Sequence, residues 1–190
     1  MSDLPKSSSE RAGRIHPGAG RRKAPLFPKG RVLQQADLDA VRALIGPGPY
    51  ERALLIEYLH KIQDGERCLP AGHMHGLAEL MRLPMAEVYE VATFYAHFDV
   101  VGDGEERPAA VTIRVCDSLS CMLAGAEALI GALGEDCPDN VRVVRAPCMG
   151  RCDLAPVAEV GHKHIDHASA GTLFAAAATG DTHAHPGAYQ

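Results

Sequence analysis

The sequence contains no apolar run that approaches the roughly 20 residues a helix needs to cross a bilayer. The segment MSDLPKSSSERAGRIHPGAGRRK is polar throughout and lacks the apolar stretch of a secretory signal. The patterns G-x-G-x-x-G after a strand, G-x-x-x-x-G-K-[ST] and G-x-S-x-G are missing as well. These absences exclude a membrane-spanning chain and favour a cytoplasmic location. We also expect any substrate or nucleotide site to belong to another chain.

Charge is distributed unevenly along the 190 residues. Residues 1–35 carry eight Lys and Arg against two Asp and Glu, whereas residues 36–190 carry eleven against twenty-two. An acidic body repels phosphate backbones, and the basic segment has no aromatic residue before Phe27 on which a base could stack, so nucleic-acid binding is disfavoured. We therefore predict that residues 1–35 form a basic, extended leader that lies across a partner subunit.

Apolar residues recur at helical spacing between residues 36 and 100. Gly and Pro punctuate the periodic stretches, for example at residues 46–49 and at Pro84, and the pattern predicts four short helices. Residues 36–100 are therefore predicted to form a small helical bundle. Because the bundle has no ligand set of its own, it is expected either to supply a docking surface or merely to stabilise the chain.

The pattern changes after residues 101–110, VGDGEERPAA, which have no periodicity and are predicted to be a linker. The segments that follow are predicted to be a strand, a helix, three strands and a helix, at 111–115, 126–133, 141–145, 157–160, 164–165 and 169–179. The predicted fold class is α+β, with the N-terminal helical bundle followed by a thioredoxin-like α/β domain over residues 111–180. Residues 181–190 are predicted to be a tail.

Four of the six cysteines form two spaced pairs, each directly after a predicted strand. Cys116 and Cys121 form C-x4-C in VCDSLSC, and Cys148 and Cys152 form C-x3-C in PCMGRC. Strands of one sheet that end at the same edge place their loops side by side. The four thiols are therefore predicted to converge on one metal site.

Four thiolates suit either an iron–sulfur cluster or a tetrahedral zinc ion. Gaps of four and three residues favour the wider [2Fe-2S] cluster, since structural zinc sites are usually small knuckles that often include histidine. Disulfides or inert thiols are the third alternative, disfavoured in a cytoplasmic chain.

Several residues of the two loops are expected to surround the metal. Ser118, Ser120 and the backbone amides of residues 117–122 and 149–152 could donate hydrogen bonds to sulfur, and Gly150 could allow close approach because it lacks a Cβ. Three arginines are expected either to favour the reduced form by their charge or to be ordinary solvated residues: Arg114, Arg145 and Arg151.

The other candidate ligands are left outside the site. Cys68 and Cys137 lack a partner at ligand spacing and are expected to be ordinary packed cysteines. The histidine clusters at residues 73–75, 162–167 and 183–185 have no Cys or carboxylate set to complete them, so none is assigned as a ligand. Separately, the Ala155–Pro156 bond is predicted to be cis, because thioredoxin-like folds often carry a cis proline before such a short strand.

The runs VCDSLSCMLAGAEAL and APCMGRCDLAPVAEV resemble the thioredoxin-like [2Fe-2S] ferredoxin family. That family includes the small peripheral subunit of complex I and its relatives in NAD-reducing hydrogenases and NAD-dependent formate dehydrogenases. The resemblance covers about residues 33–178 and includes LIEYLHKIQD and MAEVYEVATFYAHF. The run LPAGHMHGLAELMRLPMAEVYEVATFYAHFDVV most resembles gamma subunits of cytoplasmic, molybdenum-dependent, NAD-linked formate dehydrogenases.

The resemblance implies that Cys116, Cys121, Cys148 and Cys152 ligate one [2Fe-2S] cluster in an electron carrier without its own substrate site. It implies a flavin- and NADH-binding partner subunit and, through that subunit, a molybdenum-containing catalytic subunit. FMN, NAD and the molybdenum cofactor are expected only in those partners. The alternatives are the equivalent hydrogenase or complex I subunit, a zinc-stabilised interaction domain, and a thiol reductase, which the absence of C-x-x-C disfavours.

Overall fold

The computed structural model describes residues 32–182. The predicted leader, apart from its last residues, and the predicted tail beyond residue 182 lie outside the described part of the chain. From Leu33 onward the described residues belong to one unit of the fold. Among them, no helix combines the length and apolar character needed to traverse a bilayer.

Four helices make up the first half, as the periodicity predicts. They are α1 (Gln35–Ile45), α2 (Leu55–Glu66), α3 (Ala71–Met81) and α4 (Met85–Phe94). Their inward faces form one apolar core, in which Val41, Leu59, Ile62, Leu77 and Val88 are fully buried. Each such side chain contributes about 1.5–3 kcal/mol relative to exposure, so tertiary packing rather than helix propensity stabilises these short helices.

A short parallel pairing closes the helical half and is not evident in the sequence. It joins β1 (Leu69–Pro70) to β2 (Val100–Val101). Two residues are too few to show the alternation by which strands are recognised. Residues 102–110, which follow β2, contain neither helix nor strand.

The second half is an α/β arrangement, and the predicted order of strands and helices is confirmed. Its main elements are β3 (Val111–Cys116), α6 (Ala126–Glu135), β4 (Val141–Ala146), β5 (Ala158–Val160), β6 (Lys163–Ile165) and α7 (Ala170–Thr179). One further helix, α5 (Leu119–Leu123), lies between β3 and α6. The strands form a four-stranded sheet in the order β4-β3-β5-β6, and α6 and α7 both pack on β3.

The register of the sheet decides where the cysteine loops leave it. Strands β3 and β4 are parallel, and Cys116 at the end of β3 pairs with Ala146 at the end of β4. Strand β5 runs antiparallel to β3, with Val115 opposite Ala158. The loops that follow Cys116 and Ala146 therefore leave the same edge of the sheet. The Ala155–Pro156 bond beside that edge is cis, which confirms the prediction, and Gly48–Pro49 is a second cis bond.

A polar network around Asp99 connects the helical half to the sheet. The Asp99 carboxylate accepts a hydrogen bond from Gln63 Nε2 at 3.1 Å, and the Gln63 side-chain oxygen accepts one from the Asp99 backbone N–H at 3.1 Å. Arg142 of β4 pairs with the same carboxylate. Arg114 of β3, only 6% exposed, donates to the His97 carbonyl oxygen at 2.8 Å and lies 3.5 Å from Asp99. Asp99 is thus the shared partner of two cationic strand residues.

Candidate metal centre

All four paired cysteines lie at the edge of the sheet where β3 and β4 end. Cys116 is the last residue of β3, and Cys121 lies in α5, which immediately follows. Cys148 lies in the loop after β4, and Cys152 begins the 3-10 turn at residues 152–154. Cys116 and Cys121 are each 2% exposed, whereas Cys148 and Cys152 are exposed. The centre therefore has one side within the core and one side open to solvent.

Each of the two loops brings its own pair of thiols into contact, and the two pairs are close enough to interact. Cys148 Sγ lies 3.4 Å from Cys152 Sγ, and the thiols of Cys116 and Cys121 are hydrogen-bonded to each other. Cys116 and Cys152 also interact electrostatically across the two loops. All six cysteines lie within the described residues and none forms a disulfide. Convergence of the two pairs is thus a property of the fold.

The pKa values of the thiols show that the four cysteines influence one another's ionisation. Burial opposes ionisation of Cys116, but hydrogen bonds from Ser118 and Cys121 outweigh it and lower the pKa of this thiol. The pKa of Cys121 is raised, first by burial and then by Cys116. The pKa of Cys152 is raised by its hydrogen bond to Cys148 and by the charge there. Ionising one thiol therefore opposes ionisation of its neighbours, and only a cation can hold all four as thiolates.

This donor set fits a soft, thiophilic metal group. Four sulfur ligands from two loops suit an iron–sulfur cluster or zinc and exclude the hard cations calcium and magnesium, which take oxygen ligands. Cys116, Cys121, Cys148 and Cys152 would hold such a group between them, with the buried pair anchoring it to the sheet.

Hydrogen-bond donors surround the sulfurs, largely where the sequence predicts them. The Ser118 backbone and hydroxyl bind Cys116, and the Ser120 hydroxyl binds Cys152. The Gly150 backbone N–H donates to Cys148 Sγ at 3.4 Å, and the Met149 N–H binds Cys116. These donors lower the cost of concentrating negative charge on sulfur.

One donor lies outside the predicted loops. The backbone N–H of Val157, which follows the cis bond to Pro156, binds Cys121. Every residue type except proline has a backbone N–H, so the identity of Val157 does not indicate that it is a donor. Only knowledge that β5 pairs with β3 could have indicated that this N–H lies near Cys121.

The backbone conformation of Gly150 gives this residue a role in the loop itself. A Cβ built on Gly150 would meet no protein atom within 4 Å, so no contact within the protein requires glycine here, and close approach to a metal group stays a prediction. Its φ of +77° lies in the left-handed region, which only glycine adopts without strain. The glycine is therefore required by the turn of the Cys148 loop.

The arginines near the centre do not act as free positive charges. Each of them is paired with a carboxylate: Arg151 with Asp166, Arg145 with Glu127, and Arg114 with Asp99. Arg151 Nε donates to Asp166 Oδ1 at 2.7 Å, and this hydrogen bond lowers the pKa of Asp166. These carboxylates offset part of the positive charge, and the influence of the arginines on the reduced form of the centre stays a prediction.

Cys68 and Cys137 lie in other parts of the structure. Cys68 is fully buried between α2 and β1, where burial raises the pKa of its thiol. Cys137 lies in the turn before β4, with its Sγ 3.2 Å from the Val141 carbonyl oxygen. Because β4 is six residues long, Cys137 and Cys148 are near opposite ends of a strand that spans about 20 Å.

An exposed apolar surface adjoins the four cysteines. We call it the α5 patch, and it consists of Leu119 (76% exposed), Met122 (40%) and Leu123 (82%). Helix α5 also carries Cys121 and packs against the turn that begins at Cys152. Large apolar side chains at such exposure favour contact with another molecule.

Four thiols at one edge of a small mixed sheet are the arrangement expected of a thioredoxin-like protein that binds a metal group through cysteine. The family model described as thioredoxin-like [2Fe-2S] ferredoxin matches residues 41–177. The chain belongs to this family, which supports an iron–sulfur cluster as its cofactor.

Curated relatives and solved structures are consistent with that membership. The chain is 30% identical over 155 residues to the NADP-reducing hydrogenase subunit HndA of Solidesulfovibrio fructosivorans, with 77% of this chain and 88% of the relative covered. It is 30% identical over 142 residues to an NADH-quinone oxidoreductase subunit of Rhizobium meliloti (strain 1021), and the match covers 68% of this chain and 82% of the relative. Its fold resembles a chain of the NAD+-reducing [NiFe]-hydrogenase in the air-oxidized state, at 23% identity and a TM-score of 0.50. That match covers 72% of this chain but only 24% of the hydrogenase chain.

Proposed function

We propose that this chain is the electron-transfer subunit of an NAD-dependent formate dehydrogenase, with one [2Fe-2S] cluster held by Cys116, Cys121, Cys148 and Cys152 beside a flavin- and NADH-binding subunit. The observation that carries the proposal is the convergence of four thiols, two buried and two exposed, at one edge of the sheet. When bound, a [2Fe-2S] cluster supplies one-electron redox chemistry.

The protein's own contribution is to position and partly insulate the metal group. Buried Cys116 and Cys121 would hold the group to β3 and α5, and Cys148 and Cys152, which are exposed, would hold it from the surface side. The N–H and O–H donors of the loops compensate negative charge on sulfur. An electron donor or acceptor in a partner subunit could approach that outer side closely.

The flavin and the nucleotide are proposed to lie in a partner subunit. Transfer of a hydride to NAD moves two electrons, so a one-electron carrier requires a relay such as flavin between itself and NAD. The sequence of this chain has no dinucleotide-binding pattern. Relatives named as subunits of an NADP-reducing hydrogenase and of an NADH-quinone oxidoreductase support a multi-subunit setting.

The assignment to formate dehydrogenase rests on the similarity of residues 69–101 to that class of gamma subunit. The test is to purify the affinity-tagged chain from its own organism and identify what accompanies it. We expect a flavin subunit, molybdenum and formate-dependent reduction of NAD. Nickel with hydrogen-dependent reduction would assign the chain to a hydrogenase, and quinone reductase subunits would assign it to a complex I assembly.

The α5 patch is the proposed contact for the flavin subunit, since it lies beside the exposed thiols. Changing both Leu119 and Leu123 to Glu should weaken assembly roughly 30-fold or more, because the interface would then have to desolvate two charges. Both side chains are largely exposed, so the iron content should not change. Affinity for the partner and iron per chain are the two measurements.

Phe94→Glu on α4 is the matched control, because Phe94 is 79% exposed but lies in the helical half. If Phe94→Glu weakens assembly and the double leucine variant does not, the helical half supplies the docking surface instead.

Point substitutions are preferable to truncation before residue 99, because truncation would remove the Gln63 side chain, which is hydrogen-bonded to Asp99.

A further inference from the structure

Two histidines and an aspartate from distant parts of the sequence meet outside the four-cysteine centre. Asp64 lies in α2, His97 follows α4, and His162 lies in the turn between β5 and β6. One possible ligand atom from each lies within 4.8 Å of the other two. His162 Nε2 is 2.7 Å from Asp64 Oδ1, and the His97 and His162 rings stack with centroids 5.0 Å apart.

The chemistry of this group suits a borderline divalent cation. Imidazole nitrogen and carboxylate oxygen are common zinc ligands, and three protein ligands with a water molecule complete a tetrahedral site. Zinc bonds of about 2.0–2.2 Å place tetrahedral ligands about 3.4 Å apart. Ligand atoms that lie up to 4.8 Å apart would need to approach by on the order of 1 Å, whereas His162 Nε2 and Asp64 Oδ1, 2.7 Å apart, would need to separate by somewhat less. Small side-chain rotations supply both movements.

The surroundings leave room for an ion and its water. Asp64, His97 and His162 all line one open cleft of about 160 Å³. Asp64 lies near the C-terminal end of α2, where the helix dipole favours a cation. Asp64 and His97 belong to the helical half, and His162 belongs to the β5–β6 turn of the sheet. A metal ion bound by all three would therefore link the helical half to the sheet.

One arginine at the cleft opposes a cation there, although its charge is partly offset. Arg114 also lines the cleft, but its guanidinium donates to the His97 carbonyl oxygen at 2.8 Å and pairs with Asp99. Burial, followed by the charge of Arg114, lowers the pKa of His97 to about 4. His97 is consequently neutral at pH 7, which is the form that binds metals.

We propose that Asp64, His97 and His162 bind one zinc-type divalent cation, which ties α2 and the segment after α4 to the β5–β6 turn. The site shares no residue with the four-cysteine centre, and the proposal does not depend on the proposed function. Sequence spacing could not indicate it, because each ligand comes from a different element.

The test is a zinc titration of the protein as purified, with its cysteine centre loaded, against a competing chromophoric chelator. Visible absorbance and iron content are followed in parallel to show that the cysteine centre stays intact. Wild type should bind one zinc ion per chain with micromolar or tighter affinity. His162→Ala and Asp64→Asn should each weaken binding by about tenfold or more.

His164→Ala is the matched control, since His164 lies two residues away in β6 and is not part of the group. It should bind zinc like wild type. Zinc should also raise the thermal unfolding midpoint of wild type and of His164→Ala but not that of His162→Ala. If His162→Ala folds poorly, Asp64→Asn keeps the test decisive, because Asp64 is exposed.

Three results would overturn the proposal. Wild type could fail to bind zinc at micromolar free concentration. His162→Ala and Asp64→Asn could both bind as tightly as wild type. Zinc uptake could be matched by loss of iron, which would place the zinc at the cysteines.

Discussion

A Cys121→Ser chain is expected to fold but to retain almost no iron. Cys121 is buried beside Cys116, and its sulfur accepts a hydrogen bond from the Val157 N–H. A serine there offers a poorly ionised, harder oxygen in place of a soft thiolate, so the metal group loses one of its four anchors. The same replacement at Cys116, Cys148 or Cys152 should remove or severely destabilise it. Iron and sulfide per chain, with the visible spectrum, measure the effect.

Cys68→Ser and Cys137→Ser are the matched controls, because they remove a thiol without touching the centre. Both should keep wild-type iron content. Cys68→Ser should lower stability, since it places a hydroxyl in a fully buried position. Loss of iron from a folded Cys68→Ser chain would show that the ligand assignment is wrong.

The second large effect is expected at Asp99. Replacing Asp99 with Ala should lower the free energy of unfolding by about 3 kcal/mol, because it removes the carboxylate that Arg114 and Arg142 share and leaves the buried guanidinium of Arg114 with Glu159 as its acidic neighbour. A loss of about 3 kcal/mol is at the low end of the range expected when one partner of a buried ion pair is removed. The low value is expected because the Asp99 side chain is 22% exposed. For a chain of this size, the thermal midpoint should fall by roughly 6–12 °C.

Thermal unfolding at a fixed scan rate, with the cysteine centre loaded, measures the effect. Glu127→Ala is the control, since it breaks the exposed pair with Arg145 and should leave the midpoint essentially unchanged. Equal midpoints for Asp99→Ala and wild type would show that the network around Asp99 does not stabilise the joined halves.

The sequence predicts much of the fold because its signals are local. Alternation at residues 111–115 and 141–145 predicts β3 and β4, and the cysteines directly after them predict which loops meet. Apolar periodicity likewise predicts α1 to α4. Helix α5 is not predicted, because five residues are too few to show a helical period.

Contacts between distant residues were not predictable. The sequence shows Arg114 and Arg151 as charges but not their partners Asp99 and Asp166, which only the folded chain brings close. Pairing with carboxylates offsets part of the positive charge that these arginines bring near the centre. Gly150 is a similar case, since its left-handed backbone cannot be read from the sequence alone.

The most direct test of the central claim is chemical analysis of the anaerobically purified chain, joined to EPR after reduction with dithionite. A [2Fe-2S] centre on four cysteines requires about two iron atoms and two acid-labile sulfides per chain. We expect a brown protein whose visible absorption is bleached by dithionite as a spin-half EPR signal forms. A colourless protein without iron or sulfide, in which the four cysteines hold one zinc ion, would contradict the account.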